Sequence, residues 1–314
     1  MINAITGRDN YFYGKFIREL DSAEKVKINV SFLRESGIQL IIKDLKKQAL
    51  KGTKISILTS NYLNITEPSA LYLLKDELGD LVDLRLYETE EISFHPKAYF
   101  FENENKEVVF IGSSNLSYSA FYSGIEWNYR LVKGNDPAAY KEFKNDFNNL
   151  FNNSIKVDKN KLREYASEWK KPQILKTVDK KEENNKEIKD KPKPRGAQIE
   201  ALYELELARE EGVSEAMVSA ATGVGKTYLA AFDSIDFDKI LFLAHREEIL
   251  KQAKESFENI APEKEYSFFK GEQKEISGDV VFASVQTLRK EKYLNKYFDK
   301  DFFEYIVVDE FHHA

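Results

Sequence analysis

The sequence contains no cysteine, only four histidines, and no apolar run near the roughly 18 residues of a membrane span. Without cysteine there can be no disulfide, no cysteine-ligated zinc and no thiol nucleophile. The N-terminal residues carry charges where a signal peptide needs an apolar core. These absences predict a soluble cytoplasmic protein that makes no contact with a membrane.

An excess of positive charge is also missing, because the formal net charge is -6 and the isoelectric point is near 5.6. Any binding of nucleic acid must therefore come from local basic patches. The length of 314 residues and the apolar share of 42% are enough for two domains of ordinary size.

Strand and helix patterns alternate over residues 1–157, which predicts one α/β domain with a mostly parallel or mixed sheet. The segments "KVKINVSFL" and "TKISILTS" read as strands. "GIQLIIKDLKKQALKG" and "PSALYLLKDELG" read as helices that stop at glycine. Residues 158–193 contain "DKKEENNKEIKDKPKP", which is nearly free of apolar residues and predicts a solvated linker. The segment "KLREYASEWKK" just before this run is a candidate for the last helix of the first domain. The α/β alternation returns over 194–314, which predicts a second domain.

The segment "AATGVGKT" is predicted to lie between a strand ("EAMVSA") and a helix, as in a phosphate-binding loop. Thr222, Gly223 and Gly225 would let backbone N–H groups surround the phosphates of ATP, aided by the helix N-terminus. Lys226 would reach the β- and γ-phosphates, and Thr227 would hold Mg²⁺. An ordinary glycine-rich turn is the alternative interpretation.

The segment "YIVVDEFHHA" at the end of the sequence is an apolar strand that ends in two acids. Ligands of α/β sheets bind at the carboxyl ends of strands. We therefore expect Asp309 to complete the Mg²⁺ site and Glu310 to activate the attacking water.

In order, "AATGVGKT", "FLAHREEIL", "FASVQTL" and "DEFHHA" resemble the first RecA-like domain of superfamily 2 DExH-box helicases. The resemblance implies a parallel P-loop sheet with helices on both faces. It implies that Gln198 reads the adenine and that His312 couples the ATP site to the DNA side. It also implies three contacts with the nucleic-acid backbone, from Arg246, Ser284 and Gln286.

Helicases of this group need a second RecA-like domain, which brings an arginine to the γ-phosphate. The sequence stops at Ala314 before such a domain. We therefore expect an N-terminal piece of a longer protein that hydrolyses ATP poorly by itself.

The segment "HPKAYFFE" places His95 and Lys97 at positions i and i+2, so an extended strand would direct both side chains to one face. The strand "VVFIGSSN" ends at Ser113 and Asn115. If the two strands are neighbours, these four side chains converge. A histidine can attack phosphorus, and lysine and asparagine can stabilise the resulting charge.

These residues resemble the phospholipase D superfamily, whose signature is His-x-Lys followed by an Asp and then Gly-Ser-x-Asn. The resemblance covers residues 1–157 and implies an α/β sandwich with a metal-independent phosphodiesterase. It implies a phosphohistidine at His95, a phosphate held by Lys97, Ser113 and Asn115, and a histidine oriented by Glu126. The usual Asp is Glu102 here.

That chemistry usually needs two histidines, and this sequence has a single His-x-Lys. A homodimer that pairs two copies across a two-fold axis would supply the second one.

Three functions are compatible with the sequence. The first is an ATP-driven nuclease acting on DNA, with RNA not excluded, in a restriction or phage-defence setting. The second is a binding or dimerisation module attached to a motor. The third is a lipid-active phospholipase, although the sequence shows no amphipathic membrane helix.

Overall fold

The computed structural model describes residues 3–7, 10–89, 92–170, 172, 192–221, 223–289, 297–299 and 301–310. The chain divides into two compact units, Met1–Glu187 and Ile188–Ala314. No helix in the described part of the chain combines the length and the apolar character that a membrane span requires.

The first unit is built on an eight-stranded mixed sheet with the order β1-β7-β6-β5-β2-β3-β4-β8. Strands β2, β3 and β4 are parallel to one another, and every other pairing in this sheet is antiparallel. The strands are β1 (Ala4–Ile5), β2 (Lys25–Val30), β3 (Lys54–Ser60), β4 (Val82–Tyr87), β5 (Lys97–Asn103), β6 (Lys106–Gly112), β7 (Asn128–Val132) and β8 (Ile155–Lys156). The helices are α1 (Phe12–Leu20), α2 (Glu35–Leu50), α3 (Pro68–Leu78), α4 (Pro137–Asn152) and α5 (Lys159–Glu168).

Side chains alternate across this sheet, so that each face has its own apolar core. On one face, Tyr99 of β5 packs against Phe12 of α1, with ring centroids 4.9 Å apart. On the other face, the next residue, Phe100, packs against Tyr140 and Phe147 of α4. Successive aromatic residues of "KAYFFE" thus pack on opposite faces of the sheet, which lies between two layers of helices.

The predicted helix ends are confirmed at two glycines. Helix α2 ends at Leu50 and is followed by Gly52, whose φ is +98°, and α3 ends at Leu78 before Gly79, whose φ is +50°. Residues that carry a side chain rarely adopt a positive φ, whereas glycine adopts it freely.

Helix α5 changes the predicted boundary between the first domain and the linker. It lies within the proposed 158–193 linker, yet Leu162 and Tyr165 are buried. The Tyr165 hydroxyl donates a hydrogen bond to the Thr66 carbonyl at 2.8 Å, and Trp169 Nε1 donates one to the Asn64 carbonyl at 2.7 Å. Because these contacts fasten the segment to the first unit, a boundary at residue 157 falls too early. Most of the charged run, residues 173–191, lies outside the described residues.

The second unit contains a five-stranded sheet with the order β11-β10-β12-β9-β13, parallel except for β11. Apolar clusters cover both of its faces. The prediction of two α/β domains is confirmed. The strands are β9 (Ile240–Ala244), β10 (Tyr266–Lys270), β11 (Gln273–Lys274), β12 (Val280–Ser284) and β13 (Tyr305–Val308). The helices are α6 (Ala197–Glu210), α7 (Lys226–Ser234), α8 (Glu247–Ile260) and α9 (Val285–Leu288).

The strand predicted from "EAMVSA" is wrong: residues 213–221 are not a strand, and Met217 is 80% exposed. A strand needs a neighbour with which to exchange backbone hydrogen bonds, and this segment pairs with none of the described strands. Strand β13 pairs only with β9 among the described residues, so its other edge is open. The apolar composition of the segment was therefore not sufficient to make it a strand.

Candidate functional site

The first candidate site lies where the parallel strands β2, β3 and β4 end. Strand β5 begins at this end of the sheet, because its first residue, Lys97, pairs with the last residue of β2, Val30. Strand β6 also ends here, because Ala98 pairs with Ile111. The topology thus brings "HPK" and "GSSN" to one edge, as the sequence predicted from neighbouring strands.

His95 and Lys97 are in direct contact. The Lys97 ammonium lies 2.8 Å from the His95 carbonyl oxygen, to which it donates, and 3.4 Å from His95 Nδ1. His95 is exposed, whereas Lys97 is half-buried. Burial lowers the pKa of Lys97, and the nearby charge of Glu126 opposes that shift. A cation that is partly stripped of water beside an accessible imidazole suits the binding of an anion.

Ser113 and Glu126 form a second contact across the loop that follows β6. The Ser113 hydroxyl donates to the Glu126 carboxylate and accepts the Trp127 N–H at 3.0 Å. The preceding residue must be glycine, because a Cβ at Gly112 would lie 2.1 Å from the Trp127 carbonyl oxygen. The local sequence "IGSSN" thus lets two backbone segments approach closely enough for the serine to reach the acid.

Asn115 is only 7% exposed and holds the same loop to the end of β2. Its Oδ1 accepts a hydrogen bond from the Phe32 N–H at 3.3 Å. The neighbouring Ser114 carbonyl accepts from the buried Tyr99 hydroxyl at 2.9 Å. Asn115 therefore positions the loop in this structure, and its carbonyl group is already engaged.

The structure thus forms two pairs, His95 with Lys97 and Ser113 with Glu126. The effect of Glu126 on the Lys97 pKa shows that the two pairs are close enough to interact electrostatically. Among the described residues no hydrogen bond joins Glu126 to His95.

Glu102 lies far from these pairs, because five residues of strand separate it from Lys97, or about 17 Å. It is 8% exposed and accepts hydrogen bonds from the Tyr140 hydroxyl at 3.2 Å and from the Lys144 ammonium at 2.9 Å. Burial and the charge of Glu102 raise the pKa of Tyr140 well above its ordinary value. The residue that replaces the usual Asp thus belongs to the packing between β5 and α4.

Tyr62 is a neighbour of His95 that the sequence did not reveal. The two rings meet edge to face, with centroids 5.0 Å apart. Tyr62 begins a short 3₁₀ turn, Tyr62–Asn64, in which Leu63 and Asn64 both have φ near +55°. A cavity of about 500 Å³ opens beside it, lined by Asn61, Tyr62, Leu63, Asn64, Thr89, Ile92 and Ser93. Only the tertiary fold brings this turn to a histidine 33 residues away, so no local sequence pattern could have indicated it.

The second candidate site is the glycine loop before α7. Gly223 and Gly225 have φ of +84° and +81°, which favours glycine at both positions. The Lys226 ammonium donates to the Ala220 carbonyl at 3.0 Å. The buried Gln198 side chain donates to the Val224 and Gly225 carbonyls at 3.0 and 3.1 Å. Gln198 therefore supports the loop, which has no preceding strand to hold it.

Lys226, Thr227 and Asp309 line one cavity of about 170 Å³ in the second unit. Asp309 follows β13 and is fixed by a hydrogen bond from its N–H to the Leu243 carbonyl at 2.9 Å. Glu310 is exposed, with a φ of +51°. The lysine, hydroxyl and carboxylate needed for a Mg²⁺–nucleotide are thus on one cavity. Thr222 and His312 lie outside the described residues.

The three residues expected near nucleic acid differ in their surroundings. Arg246 is exposed at the start of α8, and Gln286 is also exposed. Gln286 Nε2 lies 3.5 Å from His245 Nδ1, and the sequence did not suggest this neighbour. Ser284 is 6% exposed, and its hydroxyl caps α9 through Thr287. Its hydroxyl serves the helix start in this structure.

Comparison with known families gives two matches. Residues 16–151 match the family described as cardiolipin synthase, PLD-like domain, and residues 191–314 match the family described as type III restriction enzyme, res subunit. No curated protein matches the chain significantly.

Several solved structures resemble part of this chain at low identity. Nuc, a phospholipase D family member from Salmonella typhimurium, is 18% identical, with a TM-score of 0.40 over 49% of this chain and 95% of that one. NucT from Helicobacter pylori is also 18% identical, with a TM-score of 0.37 over 46% of this chain and 89% of that one. TM-scores this low support no conclusion about activity. What the two regions of the chain resemble is therefore decided by the two family matches. Residues 16–151 are thus similar to a phospholipase D-like domain, and residues 191–314 are similar to the res subunit of type III restriction enzymes.

Proposed function

We propose that this chain is an ATP-dependent DNA-processing enzyme, in which the first domain cleaves phosphodiester bonds and the second is the first half of a motor. The observation that carries the proposal is the contact between His95 and Lys97 beside the pair of Ser113 and Glu126. A restriction or phage-defence role is the setting that a res-subunit type of domain favours.

The cleavage step requires no metal in this proposal. A nitrogen of the His95 imidazole forms a bond to phosphorus while the bond from phosphorus to a sugar oxygen breaks. The leaving oxygen takes a proton from a second histidine. Water then attacks the phosphohistidine, gives its proton to that second histidine, and the N–P bond breaks. Lys97, Ser113 and Asn115 stabilise the charge on the phosphate oxygens, and Glu126 orients a histidine.

The second histidine comes from another copy of the chain in this proposal. An apolar surface beside Glu126 supports it, since Ile125, Trp127 and Tyr129 are 68%, 72% and 54% exposed. Burying this surface between two copies would remove apolar area from water. It would also bring together the two copies of the segment around Glu126. We propose a homodimer on this surface.

The second domain fits Mg²⁺–ATP, because the phosphate-binding lysine and two oxygen ligands share one cavity. Lys226 would hold the phosphates, Thr227 and Asp309 would hold Mg²⁺, and Glu310 would position and deprotonate water. Gly223 and Gly225 form the loop, and Thr222 belongs to its sequence. Gln198 of α6 holds the loop and would read the adenine. Bound ATP would supply the free energy that drives movement along DNA. Arg246 and Gln286, both exposed, are the better placed contacts for its backbone, and RNA is an alternative strand.

A binding module is the second candidate function, and one observation favours it. The Ser113 hydroxyl donates to the Glu126 carboxylate, so one candidate phosphate ligand already has a partner. In that case the first domain would bind DNA or dimerise without cleaving it.

The test is the nicking of supercoiled plasmid in EDTA by the whole chain. Wild type and Glu104→Ala, an exposed change in the turn at the far end of β5, are expected to nick, and His95→Ala is expected to bind without nicking. Nicking that persists in His95→Ala would contradict the mechanism. Retained plasmid binding with no nicking by the wild type, with and without ATP, would favour the binding module.

A further inference from the structure

Four tyrosines form a cluster on the surface of the first unit, and Tyr122 lies at its centre. Its ring is parallel to that of Tyr11, with an angle of 1° and centroids 6.0 Å apart. The Tyr118 and Tyr13 rings lie 5.7 and 5.6 Å from it. We call Tyr11, Tyr13, Tyr118 and Tyr122 the tyrosine cluster.

The tyrosine cluster lies at the same end of the sheet as the His95 site. Tyr118 and Tyr122 belong to the loop between Ser113 and Glu126, and Tyr122 lies in its π-helical turn, Ser119–Ser123. Tyr11 and Tyr13 lie at the start of α1, shortly after β1, whose residue Ile5 pairs with the first residue of β7. The loop that carries three candidate site residues, Ser113, Asn115 and Glu126, therefore carries half of the cluster.

The rings of the cluster are directed outward although neighbouring rings fill the core. Phe12 and Phe121 are 1% and 0% exposed, while the adjacent Tyr11 and Tyr122 are 40% and 46% exposed. Core packing accounts for the phenylalanines. It does not account for exposed aromatic faces, which leave apolar area in water.

Charges of both signs occur around these rings. Lys15 and Arg18 of α1 follow the Tyr11 N-cap by four and seven residues, and neither makes an ion pair with any described residue. Burial and the negative charge of Asp44 raise the pKa of Tyr13. Gly14 lies next to Lys15, and a Cβ placed on it would meet no atom within 4 Å, so this part of the surface is open. Phosphates that follow stacked bases would find free cations here.

We infer that the tyrosine cluster is a stacking platform for the unpaired bases of a single-stranded nucleic acid whose backbone reaches His95. Tyrosine faces stack on any base, and a duplex hides those faces within its own stack. The inference rests on the proposed phosphodiesterase and adds its substrate class: single strands, or duplex ends and bubbles that expose bases.

The test is the binding of a fluorescent 20-nucleotide oligo(dT) by the whole chain, followed by anisotropy. Tyr122→Ala and Tyr11→Ala are expected to bind about tenfold more weakly than the wild type, because each removes a stacking face. Tyr122→Phe keeps the ring and is expected to bind like the wild type. Leu50→Ala, at an exposed apolar position at the end of α2, is the matched control. Thermal melting confirms that each variant is folded.

Hydrolysis of bis(p-nitrophenyl) phosphate separates this inference from the nuclease proposal, since that diester has no bases. Tyr122→Ala is expected to hydrolyse it like the wild type, whereas His95→Ala is not. A wild type that fails to hydrolyse it but binds oligo(dT) through Tyr122 would overturn the nuclease alone. Unchanged oligo(dT) binding in both alanine variants would overturn the stacking platform. Dissociation of a dimer by Tyr122→Ala, with oligo(dT) binding unchanged, would overturn it in favour of a second copy.

Discussion

Lys97 is charged and partly buried, and this combination costs free energy because burial removes water from the ammonium group. Its ammonium is held by the His95 carbonyl, and burial lowers its pKa. A lowered pKa means that the folded state holds the charged form less well than the unfolded chain does. The same feature that destabilises the fold prepares the side chain to accept a phosphate.

Lys97→Met is therefore expected to abolish nicking while leaving thermal stability at neutral pH equal to or above that of the wild type. Between the lowered pKa and about 10.5, the unfolded chain binds more protons at Lys97 than the folded chain does. The stability of the wild type relative to Lys97→Met should rise with pH across that window. Melting temperatures of both proteins from pH 7 to 11 check this, and a difference that falls with pH would contradict it.

Glu102 is expected to act on stability alone. Glu102→Ala removes the acceptor for the buried Tyr140 hydroxyl and one of the two carboxylates that hold the half-buried Lys144 ammonium. We expect the free energy of unfolding to fall by about 2 kcal/mol, with nicking per folded molecule unchanged. Urea unfolding measures the first quantity and a plasmid assay the second. A change in nicking that exceeds the loss of folded protein would return Glu102 to the site.

At the scale of elements, α5 shows that a charged segment can still be part of a domain. Among the polar residues of "KNKLREYASE", Leu162 and Tyr165 lie one turn apart and are buried. Two apolar side chains in ten residues are too weak a pattern to distinguish an anchored helix from a solvated one. Whether such a helix is anchored depends on where its partners on α3 and the Thr66 turn lie.

Leu162→Ala is expected to lower the free energy of unfolding by about 2–5 kcal/mol, because the side chain is fully buried. Tyr165→Phe should cost about 1 kcal/mol for the lost hydrogen bond to Thr66. Urea unfolding of the two variants beside Lys159→Ala, an exposed position in the same helix, checks both values. Equal stability of all three would mean that α5 is not anchored in solution.

Elements were predictable where the signal was local. The spacing of His95 and Lys97 predicted their contact, because alternate residues of an extended segment share a face. The ends of α2 and α3 followed from glycine. The strand before the P-loop was not predictable, because strand formation depends on a neighbour elsewhere in the chain. Tyr62 was missed for the same reason, since it reaches His95 only through the fold.

At the scale of the whole molecule, the number of site histidines is the reason for proposing a dimer. One chain offers a single His-x-Lys beside an exposed surface that includes Trp127. The negative net charge of the whole chain does not oppose DNA binding at a site that has its own cation, Lys97. The proposed function therefore depends on the placement of residues and on the number of copies more than on composition.

Trp127→Glu is expected to convert a dimer into a monomer and to reduce nicking at least tenfold, because a buried carboxylate would oppose the interface. Leu50→Glu, at an exposed position on α2, should change neither property. Sedimentation velocity gives the assembly state, and a plasmid assay gives the activity. A wild type that nicks as a monomer would rule out the dimer.

The hydrogen bond from Trp169 to Asn64 has a mechanical consequence. Trp169 follows α5, the last described helix of the first unit, and Asn64 lies two residues from Tyr62, whose ring contacts that of His95. Tension applied from the residues beyond Trp169 would therefore be resisted at the turn that contacts His95. If the proposed motor pulls on this segment, a small displacement of that turn would tilt the imidazole.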